Sequence, residues 1–247
     1  MDSRYILEVC VDSVESAINA ERGGADRLEL CGDLIVGGVT PSLTLFERVR
    51  EKVDIPIHVL LRPRFGDFLY SEDELEILIR QAKLFHVAGA DNLVIGCLTK
   101  EGSLDMDANG RIIEAACSTP VNLHRAFDMC RDMDEALEDA KKLGIVSILT
   151  SGGCPSALEG IHTLNRLKQN AGKIDIMAGA GINPESLRYM KEHSCLTSFH
   201  MSGKKIIKSR MEYRNPKVSM GLPSLSEYEI WQTDEETIRH AKMMLLL

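Results

Sequence analysis

Eight short apolar runs alternate with longer amphipathic segments along most of the chain, and this alternation restricts the possible folds more than any other feature. Each run has the length of a buried strand, and several segments between the runs open with helix start signals, as at Ser71 and at Asn183-Pro184. Strands that alternate with helices are typical of a parallel sheet. The runs occupy residues 5–11, 26–31, 56–61, 92–97, 121–125, 146–150, 173–179 and 196–202.

Eight strand–helix units in 247 residues predict a (β/α)8 barrel, the TIM barrel of the α/β class, as a single domain covering residues 1–247. An open, doubly wound sheet is the alternative. Even spacing of the units favours closure, as do polar residues that follow nearly every strand instead of one switch point. Residues 204–231 lack clear periodicity, so we expect a long loop there, near the barrel mouth and before the last helix.

Composition limits the partners of the chain. Its formal net charge of -8 comes from interspersed acidic and basic residues, which argues against nucleic acid or an anionic membrane as the main partner. No secretory leader or membrane-spanning run is evident, so we expect a cytoplasmic protein. The seven cysteines are scattered and include no CxxC pair, which argues against a disulfide framework and a structural zinc site.

Ionisable side chains follow nearly every predicted strand. In a barrel, the carboxyl-terminal ends of the strands meet at one rim, where binding and active sites lie. Part of this ring has a structural alternative, because arginines such as Arg27 are able to neutralise Glu8 and Glu29 inside the barrel. The residues that we take as candidate general acids or bases are Glu29, His58, His124 and Asp128.

A second group at the rim is suited to binding an anion. RPRFGDF (62–68) and HRAFD (124–128) contribute guanidinium groups, which grip carboxylates and phosphates in a fork geometry. Glycine turns in SGG (151–153) and AGAGINP (178–184) let backbone amides approach an anion, although tight turns need glycine for other reasons too. The predicted anion-binding residues are Arg62, Arg64, Arg125, Ser151, Gly152, Gly179, Gly181 and Ser202.

Several longer motifs occur in a characteristic order. They are VCVDSVESAxNAERGGADRLELC, GGVTPS (37–42), RPRFGDFLYS (62–71), HRAFDM (124–129), LTSGG (149–153), AGAG (178–181) and YRNPKVSMG (213–221). With these motifs the chain resembles the copper homeostasis protein CutC family from about residue 5 to its carboxyl end. The resemblance implies a (β/α)8 barrel, a cytoplasmic location and homo-oligomers, either dimers or tetramers.

Leu-Glu-x-Cys occurs twice, and the resemblance gives its cysteines a role: those matching Cys10 and Cys31 in animal members have been proposed to bind copper(I). Copper(I) prefers thiolate ligands and accepts low coordination numbers. Neighbouring strands lie about 4.8 Å apart, and two metal–sulfur bonds of about 2.3 Å span about 4.6 Å. We therefore predict that Cys10 and Cys31 bind copper(I), provided that strand stagger does not separate them. At Met201 we favour packing over a role as third ligand.

The same ring of residues supports an alternative function. Copper binding does not require histidines, arginines and glycine turns at the rim, whereas an enzyme for a small phosphorylated or carboxylated substrate would use them. A histidine or glutamate would act as general base, and arginines and backbone amides would stabilise developing negative charge. Such an enzyme would be of the lyase, isomerase or hydrolase type. A non-catalytic scaffold explains the fewest of these residues.

Overall fold

A computed structural model of the protein describes residues 5–215, 217–220 and 225–247. Eight of its strands are parallel neighbours in chain order, and the last pairs with the first to close a barrel. The predicted (β/α)8 barrel is therefore confirmed, and the open sheet is excluded. The barrel strands are β1 (Ile6–Val11), β2 (Arg27–Leu30), β3 (Ile57–Leu60), β4 (Asn92–Ile95), β5 (Val121–Leu123), β6 (Ser147–Thr150), β7 (Asp175–Ala178) and β8 (Ser198–Met201).

Helices cover the outside of this barrel. The α-helices are α1 (Val14–Gly23), α2 (Leu43–Arg50), α3 (Glu72–Val87), α4 (Met106–Ala115), α5 (Met133–Lys142), α6 (Ile161–Asn170), α7 (Pro184–His193) and α8 (Glu235–Leu246). Short 3-10 helices follow β2 and β5, at Leu34–Val36 and Arg125–Met129. Within the described ranges, no helix combines the length and apolar composition needed to cross a bilayer.

The main core lies between the strands and the helices. Because side chains alternate along a strand, Leu7, Val9 and Val11 of β1 face this core and are fully buried. Glu8 and Cys10 of the same strand face the barrel interior, which is therefore the polar compartment of the molecule. Inward positions of the strands supply the candidate functional residues.

Two of the predicted helix starts are confirmed in detail. Ser71 and Glu74 form a capping box at the beginning of α3, and Asn183 caps α7 ahead of Pro184. The helix layer closes where α8 packs against α1. A Cβ atom at Gly23 of α1 would lie 2.6 Å from Cβ of Ile238, so this close approach requires glycine.

The segment predicted as a long loop begins and ends with strands. An antiparallel ribbon is formed by β9 (Lys204–Lys208) and β10 (Glu229–Thr233). Cross-strand pairing sets Lys208 opposite Glu229, an opposite-charge pair that suits neighbouring strands. These side chains are largely exposed, so the sequence shows no apolar alternation there. The interior of the predicted loop includes residues 216 and 221–224, which lie outside the described residues.

Candidate functional site

A cavity of about 600 Å³ opens at the carboxyl-terminal ends of the barrel strands. This is the end at which a barrel of this type carries its binding sites. Its lining combines an apolar part with ionisable side chains from several strands. The ionisable residues of the lining are Cys10, Glu29, Arg62, His124, Arg125, His200 and Lys204.

Cys10 of the repeated segment belongs to the lining of this cavity, and Cys31 lies next to it. Pairing of β1 with β2 sets Cys10 opposite Glu29, and Cys31 follows the end of β2, its amide donating to the Val11 carbonyl oxygen at 2.9 Å. The cysteines are therefore staggered, but their side chains converge diagonally, and the two Sγ atoms lie 3.9 Å apart. Strand stagger does not separate them.

The cysteine pair is surrounded by apolar side chains. Cys10 is 6% exposed and Cys31 is fully buried, and both belong to a small cluster with Leu60 and Val94, against which Leu34 packs. The hydrogen bond with Cys31 and burial raise the pKa of the Cys10 thiol well above its usual range. Without a metal, Cys10 is therefore a neutral thiol at physiological pH.

His200 of β8 lies next to this pair. Ligand atoms of Cys10, Glu29 and His200 all lie within 4.8 Å of one another. The other side of the imidazole faces Glu8, whose Oε1 lies 2.8 Å from Nδ1, so Nδ1–H donates to the carboxylate and Nε2 is on the side of Cys10 and Glu29. Metal-binding histidines are held in this way by a carboxylate on the opposite ring nitrogen. Burial disfavours the charged form of His200, but Glu29, Cys10 and Glu8 raise its pKa well above the usual value.

Glu8 is the centre of a buried charge network below the cavity. It is fully buried, and Arg27 Nε and His58 Nδ1 lie 2.6 and 3.1 Å from its Oε2, in addition to the contact with His200. Burial opposes ionisation of Glu8, yet Arg27, His200 and His58 hold its pKa well below the usual range. This is the structural network that the sequence offered as the alternative for part of the polar ring.

His58 is not at the rim where we expected it. It is the second residue of β3, contacts Glu8, and lines an opening at the amino-terminal end of the barrel together with Asn92 and Ser147, the first residues of their strands. Arg62, four residues further along the chain, lines the cavity instead. A role for His58 as general base in the cavity therefore has no support from its position.

The glycine turn at 151–153 does bind an anion, but the anion is the side chain of Asp128. Its carboxylate accepts the amides of Ser151 and Gly153 at 3.0 Å and the guanidinium Nε of Arg125 at 2.7 Å. The amide of Gly152 donates to Thr150 Oγ1. Asp128 is thus held as a structural counter-charge, and the predicted anion site at Ser151 and Gly152 is filled by the chain itself.

The remaining predicted anion-binding residues divide between the cavity and the surface. Arg64 pairs with Asp67 and Glu74 outside the cavity lining, and its side chain is 37% exposed. The amide of Gly179 donates a hydrogen bond to the Thr150 carbonyl oxygen and is therefore not free to bind an anion. Those that line the cavity are Arg62, Arg125, Gly181 and Ser202.

Three buried polar atoms of cavity residues have no hydrogen-bond partner among the described residues: Glu29 Oε2, Arg62 Nε and His124 Nε2. Burial raises the pKa of Glu29 although His200 lies nearby, and the charge of Glu8 acts in the same direction as burial. Burial and the charge of Arg62 lower the pKa of His124 to about 3. Because buried polar groups are normally paired, these atoms are candidate contacts for a ligand in the cavity.

Sequence reasoning gave no role to His200. Met201, the next residue, is buried in the main core, as expected for the packing role that we favour for it over a role as metal ligand. The signal for His200 was its place on the strand that closes the barrel: β8 pairs with β1 so that His200 lies opposite Glu8. Only closure of the barrel brings a residue from the end of the chain next to the Leu-Glu-x-Cys segment at its beginning.

Comparisons with known proteins identify the family of the chain. The model of the CutC family matches residues 5–205. The chain belongs to the CutC family. It is 46% identical over 237 residues to a human protein named copper homeostasis protein cutC homolog, covering 95% of this chain and 87% of the human protein. A CutC family protein of Bacteroides fragilis is 43% identical over 228 residues, which are 91% of each chain.

A crystal structure supports the same assignment. The putative copper homeostasis protein CutC from Streptococcus agalactiae superimposes on this chain with a TM-score of 0.76 at 28% sequence identity. The superposition covers 80% of this chain and 98% of the streptococcal chain. Membership of the CutC family, as the sequence motifs indicated, is therefore confirmed.

Proposed function

We propose that this CutC-family protein binds copper(I) through Cys10 and Cys31, with His200 as a third ligand. The observation that carries the proposal is the 3.9 Å separation of two buried Sγ atoms at the edge of the mouth cavity. Names of the relatives support a role in copper homeostasis. Thiolate sulfur and imidazole nitrogen are the donors that copper(I) prefers over carboxylate oxygen.

The sulfur separation favours a bent arrangement over a linear one. Metal–sulfur bonds of about 2.3 Å would need sulfurs about 4.6 Å apart for a linear unit, whereas 3.9 Å gives an S–metal–S angle of about 116°. An angle near 120° leaves room for a third donor in the same plane. Nε2 of His200 would take that place with release of its proton, because Glu8 holds the opposite side of the ring.

Anaerobic competition with a copper(I) chelator tests the proposal under reducing conditions. We expect the Cys10→Ser, Cys31→Ser double variant to bind copper(I) at least about 100-fold more weakly than wild type, because both soft donors are lost. The matched control is Cys117→Ser, Cys195→Ser, which removes two exposed cysteines instead. Equal affinity of wild type and the Cys10→Ser, Cys31→Ser variant would contradict the proposal. Circular dichroism confirms that both variants are folded.

The proposal includes a reducing compartment and an assembled protein. The seven cysteines are free thiols, which suits the cytoplasm, where thiols stay reduced. We propose cytoplasmic location for this reason and a homo-oligomer, dimer or tetramer, from the family resemblance. Fractionation of cells and light scattering on the purified protein test these two points.

A further inference from the structure

Two unpartnered hydrogen-bond donors lie on the wall of the cavity formed by β3, β4 and β5. They are Nε of Arg62, a residue that is 9% exposed, and Nε2 of His124, a residue that is 5% exposed. Both residues line the cavity. The dithiol belongs to β1 and the end of β2, so these donors are contributed by different strands from the proposed copper ligands.

Strand register explains how the two side chains share one level. Leu60 of β3 pairs with Val94 of β4, and Val94 pairs with Asn122 of β5. Two residues further along the chain, just past the ends of these strands, Arg62, Gly96 and His124 continue the inward positions of Leu60, Val94 and Asn122.

Gly96, between the other two, has no side chain. A Cβ atom at this position would lie 2.5 Å from Cε1 of His124. The imidazole therefore lies over the backbone of β4, on the side of Arg62, and glycine is what makes room for it.

One aromatic ring supports both donors. The guanidinium carbon of Arg62 lies 5.0 Å from the centroid of Phe68, and the ring of His124 lies 5.0 Å from the same centroid. The terminal nitrogens of Arg62 donate to the carbonyl oxygens of Gly38 and Gly66, at 3.1 and 2.9 Å. These contacts fix the guanidinium plane and leave the Nε–H group of Arg62 without an acceptor among the described residues.

Arg62 also lacks a compensating negative charge, since no carboxylate forms an ion pair with it within the described ranges. The hydroxyl of Tyr70 lies close enough to the Arg62 guanidinium to interact with it, but the two do not meet hydrogen-bond geometry, so Nε of Arg62 still lacks an acceptor. A cation that is nine-tenths buried is stabilised by an anionic partner. The cavity beside Arg62 is where such a partner has space.

The tautomer of His124 follows from its other hydrogen bond. The amide of Ala126 donates to Nδ1 of His124 at 3.1 Å, so Nδ1 is the acceptor and carries no proton. In the neutral ring the proton is therefore on Nε2. The unpartnered atom of His124 is a donor, like that of Arg62, and both suit an acceptor such as an oxyanion.

We propose that this wall binds a small organic monocarboxylate, one oxygen accepting from Arg62 Nε–H and the other from His124 Nε2–H. A single negative charge matches this wall, because Arg62 is its buried, uncompensated cation and Arg125 is already paired with Asp128. Lys204 of the lining is exposed, and its ammonium group lies over the ring of Trp231. Val36, Leu60 and Ile182 in the lining provide contacts for the hydrocarbon part of the ligand. The volume of about 600 Å³ lies within the range of small-molecule sites.

Titration of the metal-free, reduced protein with sodium butanoate tests this site. Calorimetry should show saturable binding with a dissociation constant of about 10 mM or tighter. In NMR spectra, the signals of Arg62 Nε–H and His124 Nε2–H should both shift during the titration. His124→Phe keeps an aromatic ring but removes the donor, and we expect binding at least about 10-fold weaker. Arg64→Met is the matched control at the exposed arginine of the same loop, and it should bind butanoate like wild type.

Several results would overturn the proposal. They are the absence of saturable butanoate binding to wild type, titration without a shift of either donor signal, and equal binding by a folded His124→Phe variant. Inorganic phosphate that binds more tightly than butanoate would contradict the assignment of a monoanion. Butanoate binding is measured on the metal-free protein and copper(I) affinity in a separate chelator competition, so failure of the copper proposal and failure of this one give different results.

Discussion

Glu8 and Glu29 occupy the same position in the two copies of Leu-Glu-x-Cys, but their surroundings are opposite. Glu8 contacts Arg27, His58 and His200, which hold its pKa well below the usual range although burial opposes ionisation. Glu29 is also buried, but its Oε2 has no partner among the described residues, and burial raises its pKa. The first glutamate stabilises the barrel interior, and the second faces the cavity.

The difference arises from the register of the barrel. Glu8 lies opposite Arg27 on β2, two residues before Glu29, so the second copy of the segment is displaced towards the mouth. The two glutamates of the repeated segment therefore have different roles, because neighbouring strands of a closed barrel are staggered. The same stagger brings the sulfurs of Cys10 and Cys31 together diagonally.

Removing the charge of Glu8 should have the largest effect on stability. Glu8→Gln leaves Arg27 and His200 without their counter-charge, and loss of one member of a buried ion pair costs about 3–5 kcal/mol. Urea unfolding measures the loss, with Glu29→Gln as the matched control, for which we expect no loss. Equal losses in the two variants would contradict the different roles of the two glutamates.

Copper(I) affinity should depend on the histidine that Glu8 orients. We expect His200→Phe to bind copper(I) about 10–100-fold more weakly, because the two sulfurs remain but the third donor is lost. Chelator competition measures this change. Met201→Leu, a change at the neighbouring core residue, is the control and should retain wild-type affinity. A His200→Phe variant that binds as tightly as wild type would restrict the site to two sulfurs.

The two glutamates should also respond to pH with opposite signs. The raised pKa of Glu29 means that the folded state binds more protons than the unfolded state above pH 4.5, so its contribution to stability falls as pH rises through that window. The lowered pKa of Glu8 gives a contribution that is present above pH 4.5 and is lost as pH falls through the folded-state pKa.

Glu29→Gln should therefore gain stability relative to wild type as pH increases from 4.5 towards 8. The gain is at most about 1.4 kcal/mol for each unit by which the pKa is raised. Urea unfolding at several pH values follows the difference. A difference that does not change with pH would show that Glu29 titrates normally.

The smallest effect on stability is expected at Arg64, the second arginine of the loop that contains Arg62. Its ion pairs with Asp67 and Glu74 are partly exposed, and pairs of this kind contribute less than about 1 kcal/mol. Arg64→Ala should unfold within that margin of wild type and should leave copper(I) affinity unchanged. A large loss of copper(I) affinity would place Arg64 in the cavity after all.

The sequence predicted the barrel because apolar alternation reports directly on strands that are buried by helices. It did not predict the β9–β10 ribbon, whose exposed residues, such as Lys205 and Lys208, carry no such pattern. Chain order and strand adjacency were enough to place Cys10 near Cys31.

The depth of each inward side chain was not predictable, because it depends on the stagger of the closed barrel. His58 was therefore expected at the rim and lies near the opposite end. The carboxylate of Asp128 is bound by the amides of Ser151 and Gly153, which lie 23 and 25 residues further along the chain, and no local pattern reveals such a contact.

X-ray absorption at the copper edge of the copper(I)-loaded protein tests the central claim most directly. The account predicts two sulfur neighbours at about 2.3 Å and one nitrogen neighbour at about 2.0–2.1 Å, taking zinc values as a guide. In the Cys10→Ser, Cys31→Ser variant the sulfur signal should disappear. A wild-type spectrum with only nitrogen and oxygen neighbours, or a sulfur signal that survives in this variant, would contradict the account.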